Sequence, residues 1–391
     1  MSSSSRRRRP RASPSPLTAA KQELQPALQQ RIYMACPMGP IGGGMARVVD
    51  YLIDDSHRSA DSSAAQLMAL DTRGQGSAAR SLWVLLGAMR LLFAARKQVA
   101  GVHIHLAERL SLLRKSALML LCKALGIPMI VHLHAAQFAQ FYRQLPSAAR
   151  WLTRQALQLP AGLIVLGQRA RDFVTQEIGV PAERVHLVPN GVPAPQVPRR
   201  RDPSLRQVLF VGNLSERKGV SDLLRALCLP GWDPANTRVV LAGGGDVEGY
   251  RAQAQAMGLG PWLHWTGWLG PQQVAQRMAQ ADVLVLPSHD EGLPLVILEA
   301  MAQGVAVVCT PVGEIAHFIT DEQEALFVQP GDSPALARQI QRVLADDGLR
   351  SHLEQAGRRL HASRFSLSRF SAEIARLHRQ HFDIGPRRMK S

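Results

Sequence analysis

Two acidic residues, Glu291 and Glu299, lie just before and within an expected helix, where they could bracket a ligand at its start. The loop before this helix reads Ser-His-Asp-Glu-Gly-Leu-Pro over residues 288–294. Proline favours the first turn of a helix, so we expect Pro294 to open this helix and the N–H groups of Gly292 and Leu293 to be free to hold oxygen atoms. Carboxylates accept hydrogen bonds from hydroxyl groups. The pair therefore predicts a sugar or ribose ligand at the start of the helix, whereas a solvated helical glutamate is the alternative for Glu299.

A second loop carries two adjacent cations, Arg217 and Lys218, in the segment Gly212–Gly219. It directly follows a predicted strand, and its last glycine permits a helix to start beside it. Lysine and arginine form charge-assisted hydrogen bonds with phosphate oxygens. The spacing predicts contact with a diphosphate, and a solvated basic turn is the alternative.

A third loop contains Gly42, Gly43 and Gly44, after the first predicted strand and before a helix. Glycines permit positive φ and close approach of the backbone to a phosphate or sugar. A tight turn between a strand and a helix explains the same residues equally well. Two histidines, His132 and His134, end another predicted strand, where ordinary polarity at a strand end is the simpler interpretation.

Twelve short apolar runs, separated by helical stretches, predict the strands of parallel βαβ units. The predicted strands are Ile32–Cys36, Ala65–Leu70, Val102–Ile104, Met129–Leu133, Gly162–Leu166, Val185–Val188, Val208–Val211, Val239–Ala242, Leu263–Thr266, Val283–Leu286, Ala306–Cys309 and Leu326–Val328. Parallel α/β sheets bind ligands at the carboxyl ends of their strands, which is where all three loops lie. The fold class predicted is α/β.

Five prolines within residues 189–203 interrupt the alternation of strands and helices. They predict a linker, because proline continues neither a helix nor a central strand. We therefore expect a Rossmann-like domain over residues 31–190, a linker over 191–205 and a second Rossmann-like domain over 206–365. Residues 1–30, rich in serine, proline and arginine, are expected to form a disordered basic tail.

The composition narrows the class of protein. The chain has 391 residues, a formal net charge of +16 and 46% apolar residues, so a packed core is expected. Its four cysteines are far apart and form no metal-type cluster, which argues against a disulfide scaffold or a zinc site. The most apolar stretch, 82–95, contains Arg90 and is shorter than the roughly 20 residues of a membrane span. The N-terminus lacks the apolar core of a secretory signal.

Taken together, these segments resemble the signature of the retaining, nucleotide-sugar-dependent glycosyltransferases of family 4. The resemblance covers roughly residues 31–380 and is stronger in the second domain. It rests on the two glutamates separated by seven residues, on the Lys-Gly ending of the cationic loop, and on the segments 188–192, 241–245 and 312–315.

The resemblance implies a GT-B fold, in which two Rossmann-like domains face each other across a cleft. The first domain would bind the acceptor and the second the nucleotide sugar, while a last helix over 366–385 crosses back to the first domain. By position, the residues implied in catalysis are Lys218, Arg217, Glu291 and His134. Those implied in donor binding are Gly43, Gly44, Asn213, Gly292, Leu293 and Glu299, with Glu299 on the ribose.

Two departures from the family pattern concern the donor side. Asn213 stands where an arginine usually touches the diphosphate, so Arg217 is expected to take its place. Glu314 stands where a second glycine is common, and His317 where a glutamate is common. No Asp-x-Asp metal motif accompanies the loops, and fixed cations can stabilise a leaving diphosphate. We therefore expect no cofactor and no metal requirement for the reaction.

The segment 80–150 is strongly basic, with ten Lys or Arg and one acidic residue, Glu108. Basic groups near an anionic membrane contribute about 1 kcal/mol each to binding. Together with five aromatic residues in it or directly beside it, the segment predicts a cytoplasmic enzyme docked on the inner face of the cytoplasmic membrane. A solvated basic face is the alternative. No nucleic-acid motif is present. The aromatic residues are Trp83, Phe93, Phe138, Phe141 and Trp151.

The expected reaction is transfer of a hexose from a GDP- or UDP-sugar to a lipid-linked glycan of an exopolysaccharide, capsule or lipopolysaccharide. Two alternatives remain open. One is glycosylation of a membrane lipid or small molecule, and the other is an inactive binding subunit, which Asn213 favours. A nicotinamide dehydrogenase is disfavoured, because no Gly-x-Gly-x-x-Gly follows the first strand.

Overall fold

The structure is a computed structural model that describes residues 30–39, 43–58, 65–134, 136–382 and 384. The predicted tail up to residue 29 and Gly42 of the glycine loop lie outside the described residues.

The first half of the chain forms a parallel six-stranded sheet of order β2-β1-β3-β4-β5-β6. Each of the six strands predicted in this half is confirmed within a few residues at its ends. The strands are β1 (Arg31–Cys36), β2 (Gln66–Asp71), β3 (Val99–Leu106), β4 (Met129–Leu133), β5 (Gly162–Val165) and β6 (Val185–Leu187).

The second half forms another parallel six-stranded sheet, of order β12-β11-β10-β7-β8-β9. Its six predicted strands are also confirmed, and β10 and β11 have the predicted bounds. The strands are β7 (Arg206–Val211), β8 (Thr237–Ala242), β9 (Leu263–Gly267), β10 (Val283–Leu286), β11 (Ala306–Cys309) and β12 (Leu326–Phe327). Central strands such as β10 are buried at every position, which explains their uninterrupted apolar sequence.

Helices connect the strands on both faces of each sheet. In the first half they are α1 (Gly43–Arg58), α2 (Ala78–Ala95), α3 (Leu110–Ala124), α4 (Phe138–Gln144), α5 (Ser147–Gln158) and α6 (Gln168–Asp172). In the second half they are α7 (Val220–Leu227), α8 (Val247–Ala256), α9 (Pro271–Gln280), α10 (Leu295–Gln303), α11 (Ile315–Phe318), α12 (Ser333–Ala345), α13 (Asp347–Leu360) and α14 (Leu367–His381). Among the described residues, no helix combines the length and the apolar character that crossing a bilayer requires.

The last helix, α14, packs against the first sheet although it follows the second half in sequence. Ile374 and Leu377 are buried in one apolar cluster with Ile130 of β4. A Cβ added to Gly101 of β3 would lie 2.4 Å from the ring of Phe382, just beyond α14. The glycine thus lets the end of the chain rest directly on the sheet.

The proline-rich segment between the halves is anchored rather than free. The N–H of Val192 donates to the carbonyl of Phe365, and the N–H of Leu367 donates to the carbonyl of Val192. The Arg199 guanidinium donates to main-chain carbonyls, including that of Ala281 at 2.6 Å. These bonds hold the segment against the second half and the start of α14.

Candidate functional site

The centre of the site is an ion pair between the cationic loop and the acidic loop. Lys218 Nζ donates to Glu291 Oε1 at 2.5 Å, and Ser288 Oγ donates to the same oxygen at 2.7 Å. Both charged side chains are largely buried, with 15% of Lys218 and 7% of Glu291 exposed. Two loops that are 73 residues apart in sequence are thereby joined at the carboxyl edge of the second sheet.

Gly219 makes this approach possible. It has a φ of 70°, and a Cβ at this position would lie 2.0 Å from the carbonyl oxygen of Pro287. Any other side chain would push the cationic loop away from β10. The residues before it, Glu216–Lys218, form a 3₁₀ turn that ends at this glycine. The required glycine therefore explains the Lys-Gly pair of the motif.

The second cation, Arg217, lies at the rim of the site. Its side chain is 48% exposed, and its guanidinium donates to the main-chain oxygen of Asp290 at 3.2 Å. Burial raises the pKa of the Asp290 carboxyl, and the charge of Arg217 opposes that rise. Arg217 is thus positioned beside the acidic loop and remains accessible to a ligand.

Asn213 is exposed at a point where two glycine-rich turns meet. A Cβ at Gly243 would lie 1.7 Å from the carbonyl oxygen of Gly212, and a Cβ at Gly245 would lie 2.5 Å from that of Leu214. The two turns can touch only because both positions lack side chains. The structure places Asn213 near Gly245, on the same sheet edge as the ion pair.

The backbone after Glu291 is held from two sides. The Leu293 carbonyl accepts from Asn190 Nδ2 at 3.1 Å, and the Gly292 carbonyl accepts from the Glu314 N–H at 3.0 Å. Within the described chain, the N–H groups of Gly292 and Leu293 donate to no protein acceptor. Pro294 caps α10 rather than opening its first turn as predicted, and the helix begins at Leu295. The two N–H groups remain just before the helix, where its dipole favours anions and oxygen ligands.

Glu299 lies on α10 and reaches the first half of the chain. Its Oε1 accepts from the Tyr51 hydroxyl at 2.6 Å, and Arg47 Nε lies 3.6 Å from the same oxygen. Burial and the neighbouring Glu299 charge raise the pKa of Tyr51. Glu299 therefore faces the cleft between the halves and is already hydrogen-bonded there.

The first half contributes two regions to this cleft. A Cβ at Gly44 would lie 3.9 Å from Leu295 Cδ1, and one at Gly292 would lie 3.5 Å from the His134 carbonyl oxygen. Gly43 has a φ of 52° and is exposed. The glycine loop and the end of β4 thus lie opposite the start of α10.

His134 is an uncharged group in this arrangement. Its Nε2 lies 2.8 Å from His105 Nδ1, and burial lowers its pKa to about 3. At neutral pH it can therefore donate or accept a hydrogen bond, but it carries no positive charge. The end of the first sheet offers a neutral imidazole where the second sheet offers an ion pair.

Two family models match the chain, one in each half. The model described as "Glycosyltransferase Family 4" matches residues 56–194, and the model described as "Glycosyl transferases group 1" matches residues 197–360. The chain belongs to the group 1 glycosyltransferases of family 4.

Relatives and solved structures agree with this assignment. An alpha-D-kanosaminyltransferase from Streptomyces kanamyceticus is 28% identical over 76% of this chain and 81% of its own length. A lipopolysaccharide core biosynthesis glycosyltransferase, LpsE of Rhizobium meliloti, is 32% identical over 41% of this chain and 45% of its own length. Anabaena HepE, solved in complex with UDP-glucose, has a TM-score of 0.68 and 17% identity, covering 90% of this chain and 99% of that one. The structural likeness establishes the GT-B fold.

The basic segment of this glycosyltransferase forms an outward face on α2, α3 and α5. Ten large apolar side chains are exposed there, with Trp83 the most exposed at 74%. Most of the basic residues of the segment, including Arg90 and Lys123, are exposed beside them. The ten are Leu82, Trp83, Leu86, Leu91, Phe93, Leu110, Leu113, Leu120, Trp151 and Leu152.

For two residues, the prediction from sequence that they lie on that face is wrong. Phe138 is 1% exposed and packs edge-on against Phe173, because α4 buries its apolar side. Lys115 is fully buried, and its Nζ donates to the carbonyl of Ala35 at 2.8 Å and to Thr72 Oγ1. Phe141 is only partly exposed. The face is therefore built from helix surfaces and not from every basic or aromatic residue of the segment.

Sequence reasoning missed the groups that act across the cleft. Arg47 and Tyr51 are four residues apart on α1, a spacing that places both on one face of the helix, yet their partner Glu299 is 248 residues away from Tyr51. The Glu314 carboxylate crosses the cleft in the other direction and accepts from the Ala170 N–H at 3.1 Å. The helical spacing was the only signal available for the first pair.

Proposed function

We propose that this glycosyltransferase is a retaining enzyme that transfers a hexose from a GDP- or UDP-sugar to a lipid-linked glycan. The observation that carries the proposal is the buried Lys218–Glu291 pair beside the unpartnered N–H groups of Gly292 and Leu293. A cation and two N–H groups suit the two parts of a sugar nucleotide, its phosphates and its hydroxyls. The complex of HepE with UDP-glucose supports this donor class.

Leaving-group stabilisation is the chemical task of the second half. The bond between the anomeric carbon and the diphosphate oxygen breaks, and negative charge grows on the diphosphate. Lys218, assisted by the accessible Arg217, stabilises that charge without reorganisation of solvent. In this role Lys218 shifts part of its hydrogen bonding from Glu291 to phosphate oxygens, which leaves Glu291 free to accept from sugar hydroxyls. Glu299 accepts from the ribose hydroxyls.

Retention follows from attack on the same face that the diphosphate leaves. The acceptor oxygen bonds to the anomeric carbon while its proton passes to the departing phosphate oxygen. Glu291 is paired with Lys218, so in this scheme it orients the sugar and is not the nucleophile of a glycosidase. The uncharged His134 supplies a hydrogen bond near the reacting sugar.

Neither a cofactor nor a metal on the diphosphate is needed in this scheme, because Lys218 and Arg217 supply the positive charge. Transfer rates measured with and without added Mg²⁺ are expected to agree. A rate that depends on Mg²⁺ would assign the charge stabilisation to the ion instead.

The donor experiment is a thermal-shift panel of nucleoside diphosphates and nucleotide sugars, followed by calorimetry on those that stabilise the protein. One base is expected to raise the melting temperature, since a ligand that binds only the folded state stabilises it by mass action. NMR of the product is expected to show the anomeric configuration of the donor. A panel without any shift would contradict the donor site and favour a binding subunit, for which Asn213 is the sequence argument.

The acceptor is proposed to lie on a membrane surface. The outward face of α2, α3 and α5 combines exposed tryptophan and leucine with basic side chains, which is typical of peripheral binding to anionic lipid. We place the enzyme on the inner face of the cytoplasmic membrane, acting in exopolysaccharide, capsule or lipopolysaccharide synthesis. LpsE, a lipopolysaccharide core enzyme by name, supports this class of acceptor. Direct glycosylation of a membrane lipid would use the same face.

Co-sedimentation with vesicles tests the membrane face. Wild type is expected to bind vesicles that contain anionic lipid and to be released by salt. Trp83→Ala combined with Trp151→Ala removes two exposed side chains of 74% and 59% exposure and is expected to weaken binding several-fold. Trp268→Ala, which removes a 58% exposed tryptophan of the second half, is the matched control. Equal loss in both variants, or no binding by wild type, would contradict this surface.

A further inference from the structure

Four histidines form a grid on one face of the first sheet. His103 and His105 lie on β3, His132 lies on β4 with His134 directly after its end, and the parallel register pairs His105 with His132. Side chains two residues apart on a strand share a face, and paired residues on parallel strands do too. His378 of α14 covers this face from outside. Since His103 and His105 are two residues apart on β3 and His132 lies on the neighbouring β4, the three imidazoles lie close together on one face.

Three of these histidines have buried nitrogen atoms without a partner. His103 Nδ1 is hydrogen-bonded to His378 Nε2 at 3.0 Å, and His105 Nδ1 to His134 Nε2 at 2.8 Å. The remaining Nε2 atoms of His103 and His105, and both ring nitrogens of His132, are buried and have no hydrogen bond. Buried polar atoms normally have partners, so several orphaned nitrogens in one place call for a ligand.

We propose that His103, His105 and His132 bind one divalent transition-metal ion, for which Zn²⁺ is the best match. One ring nitrogen from each residue lies within 4.8 Å of the other two. Three nitrogens around a tetrahedral zinc ion, with bonds of about 2.0–2.1 Å, are about 3.4 Å apart. The rings of His103 and His105 are stacked at 14° and those of His103 and His132 at 19°, so binding turns the rings until their lone pairs converge.

The protonation and the surrounding hydrogen bonds also suit a metal. Burial lowers the pKa of all three imidazoles well below 6.5, and the neutral form is the one that binds metal. Histidine ligands usually donate their second ring N–H to a neighbour, which fixes the tautomer. Here His378 and His134 are the acceptors for His103 and His105. Imidazole donors are also compatible with Co²⁺, Ni²⁺ and Cu²⁺.

The ion would affect the cleft through the hydrogen bond between His105 and His134. It would not contact the sugar nucleotide. When His105 binds the metal through Nε2, its Nδ1 must carry the proton and donate it to His134 Nε2. His134 then holds its own proton on Nδ1, so the metal selects one tautomer of the imidazole at the cleft. Through His103 and His378, the same ion stabilises the docking of α14 on β3 and β4. The proposal therefore does not depend on the identity of the sugar nucleotide.

The test measures bound metal on the full chain prepared without a polyhistidine tag. Wild type, both as purified and after refolding with stoichiometric Zn²⁺, is expected to hold one zinc per chain by elemental analysis. Reconstitution with Co²⁺ is expected to give the visible spectrum of tetrahedral coordination. Refolding with metal addresses the burial of the cluster, because the ligands are then accessible before the sheet closes.

His132→Leu is the decisive variant, because neither ring nitrogen of His132 makes a hydrogen bond that the change would break. It is expected to fold, to lose the zinc and the cobalt spectrum, and to show no rise in melting temperature with Zn²⁺. His186→Gln is the matched control and should retain the metal. His186 lies outside the grid, and its Nε2 is 3.0 Å from His381 Nε2. Wild type that remains metal-free after refolding, or His132→Leu that keeps the metal, would overturn the proposal.

Discussion

The two halves of the molecule share an architecture and differ in the chemistry at their strand ends. Each has six parallel strands with helices on both faces. In the second half, the strand ends carry charged side chains: Lys218 is paired with Glu291, and the Asp222 carboxylate lies 2.6 Å from His289 Nε2. In the first half, the corresponding edge carries neutral imidazoles such as His134. Under the proposed function, a charged diphosphate would leave beside the second half and a neutral hydroxyl would attack from the first, so each edge would match the charge of the group beside it.

The two halves also differ in the number of large apolar side chains that they expose. Ten large apolar side chains are exposed on the first half, and Trp268 is the one of this kind among the described residues of the second half. Several exposed apolar side chains on neighbouring helices are more typical of an interaction surface than a single exposed residue is. Under the proposed function, the half that would bind the acceptor is therefore also the half that would contact the membrane.

The largest effect on activity is expected from Lys218→Ala, which removes the cation from the charged strand ends of the second half. Removing one preorganised charge-stabilising donor costs about 10²–10³ in turnover. We expect a loss of that size in transfer assays, with the far-UV circular dichroism unchanged. Arg251→Ala on α8, where the arginine is 41% exposed and pairs with Glu248 of the same helix, is the control. Full activity of Lys218→Ala with an intact fold would remove the leaving-group role.

Glu299→Ala tests the contact between the halves and is expected to have an intermediate effect, on nucleotide affinity. Hydrogen bonds to charged groups contribute about 1.5–3 kcal/mol, so loss of the ribose contact should weaken nucleotide binding about 10- to 100-fold by calorimetry. Tyr51→Phe removes the 2.6 Å hydrogen bond to the same carboxylate but leaves the carboxylate in place. It is expected to bind the nucleotide far better than Glu299→Ala does. Unchanged affinity in Glu299→Ala would contradict the ribose role.

The third effect is on stability, depends on pH and concerns the buried Lys115 of the first half. Burial lowers the pKa of Lys115 from 10.5 to about 7. Between these values the unfolded chain holds the extra proton, so the free energy of unfolding rises with pH across this window, and the cost of the buried charge is fully present below pH 7. Lys115→Met removes this dependence. Its stability relative to wild type, measured by chemical denaturation, should therefore fall as pH increases through the window; a constant difference would show that Lys115 stays charged.

The sequence predicted the elements well because their signals are local. Each strand is a short apolar run bounded by turn residues, and the Lys-Gly and Glu-Gly segments follow directly after strands. The contacts that complete the site are not local: Glu299 bonds to Tyr51 across the cleft, and His134 bonds to His105 on a neighbouring strand.

Burial was harder to predict from composition. Lys115 and Phe138 were counted with a surface because a segment's charge does not reveal which side of a helix faces the core. On α3, Lys115 lies on the buried side while Leu113 is 67% exposed, the reverse of what residue type alone predicts. Tertiary packing decided both positions.

The most direct measurement is a crystal structure of the protein with the nucleoside diphosphate selected by the binding panel. We expect the diphosphate within hydrogen-bond distance of Lys218 Nζ, the ribose hydroxyls on Glu299, and Glu291 facing the space of the departing sugar. A diphosphate bound away from the cationic loop, or a ribose that does not touch Glu299, would contradict this expectation.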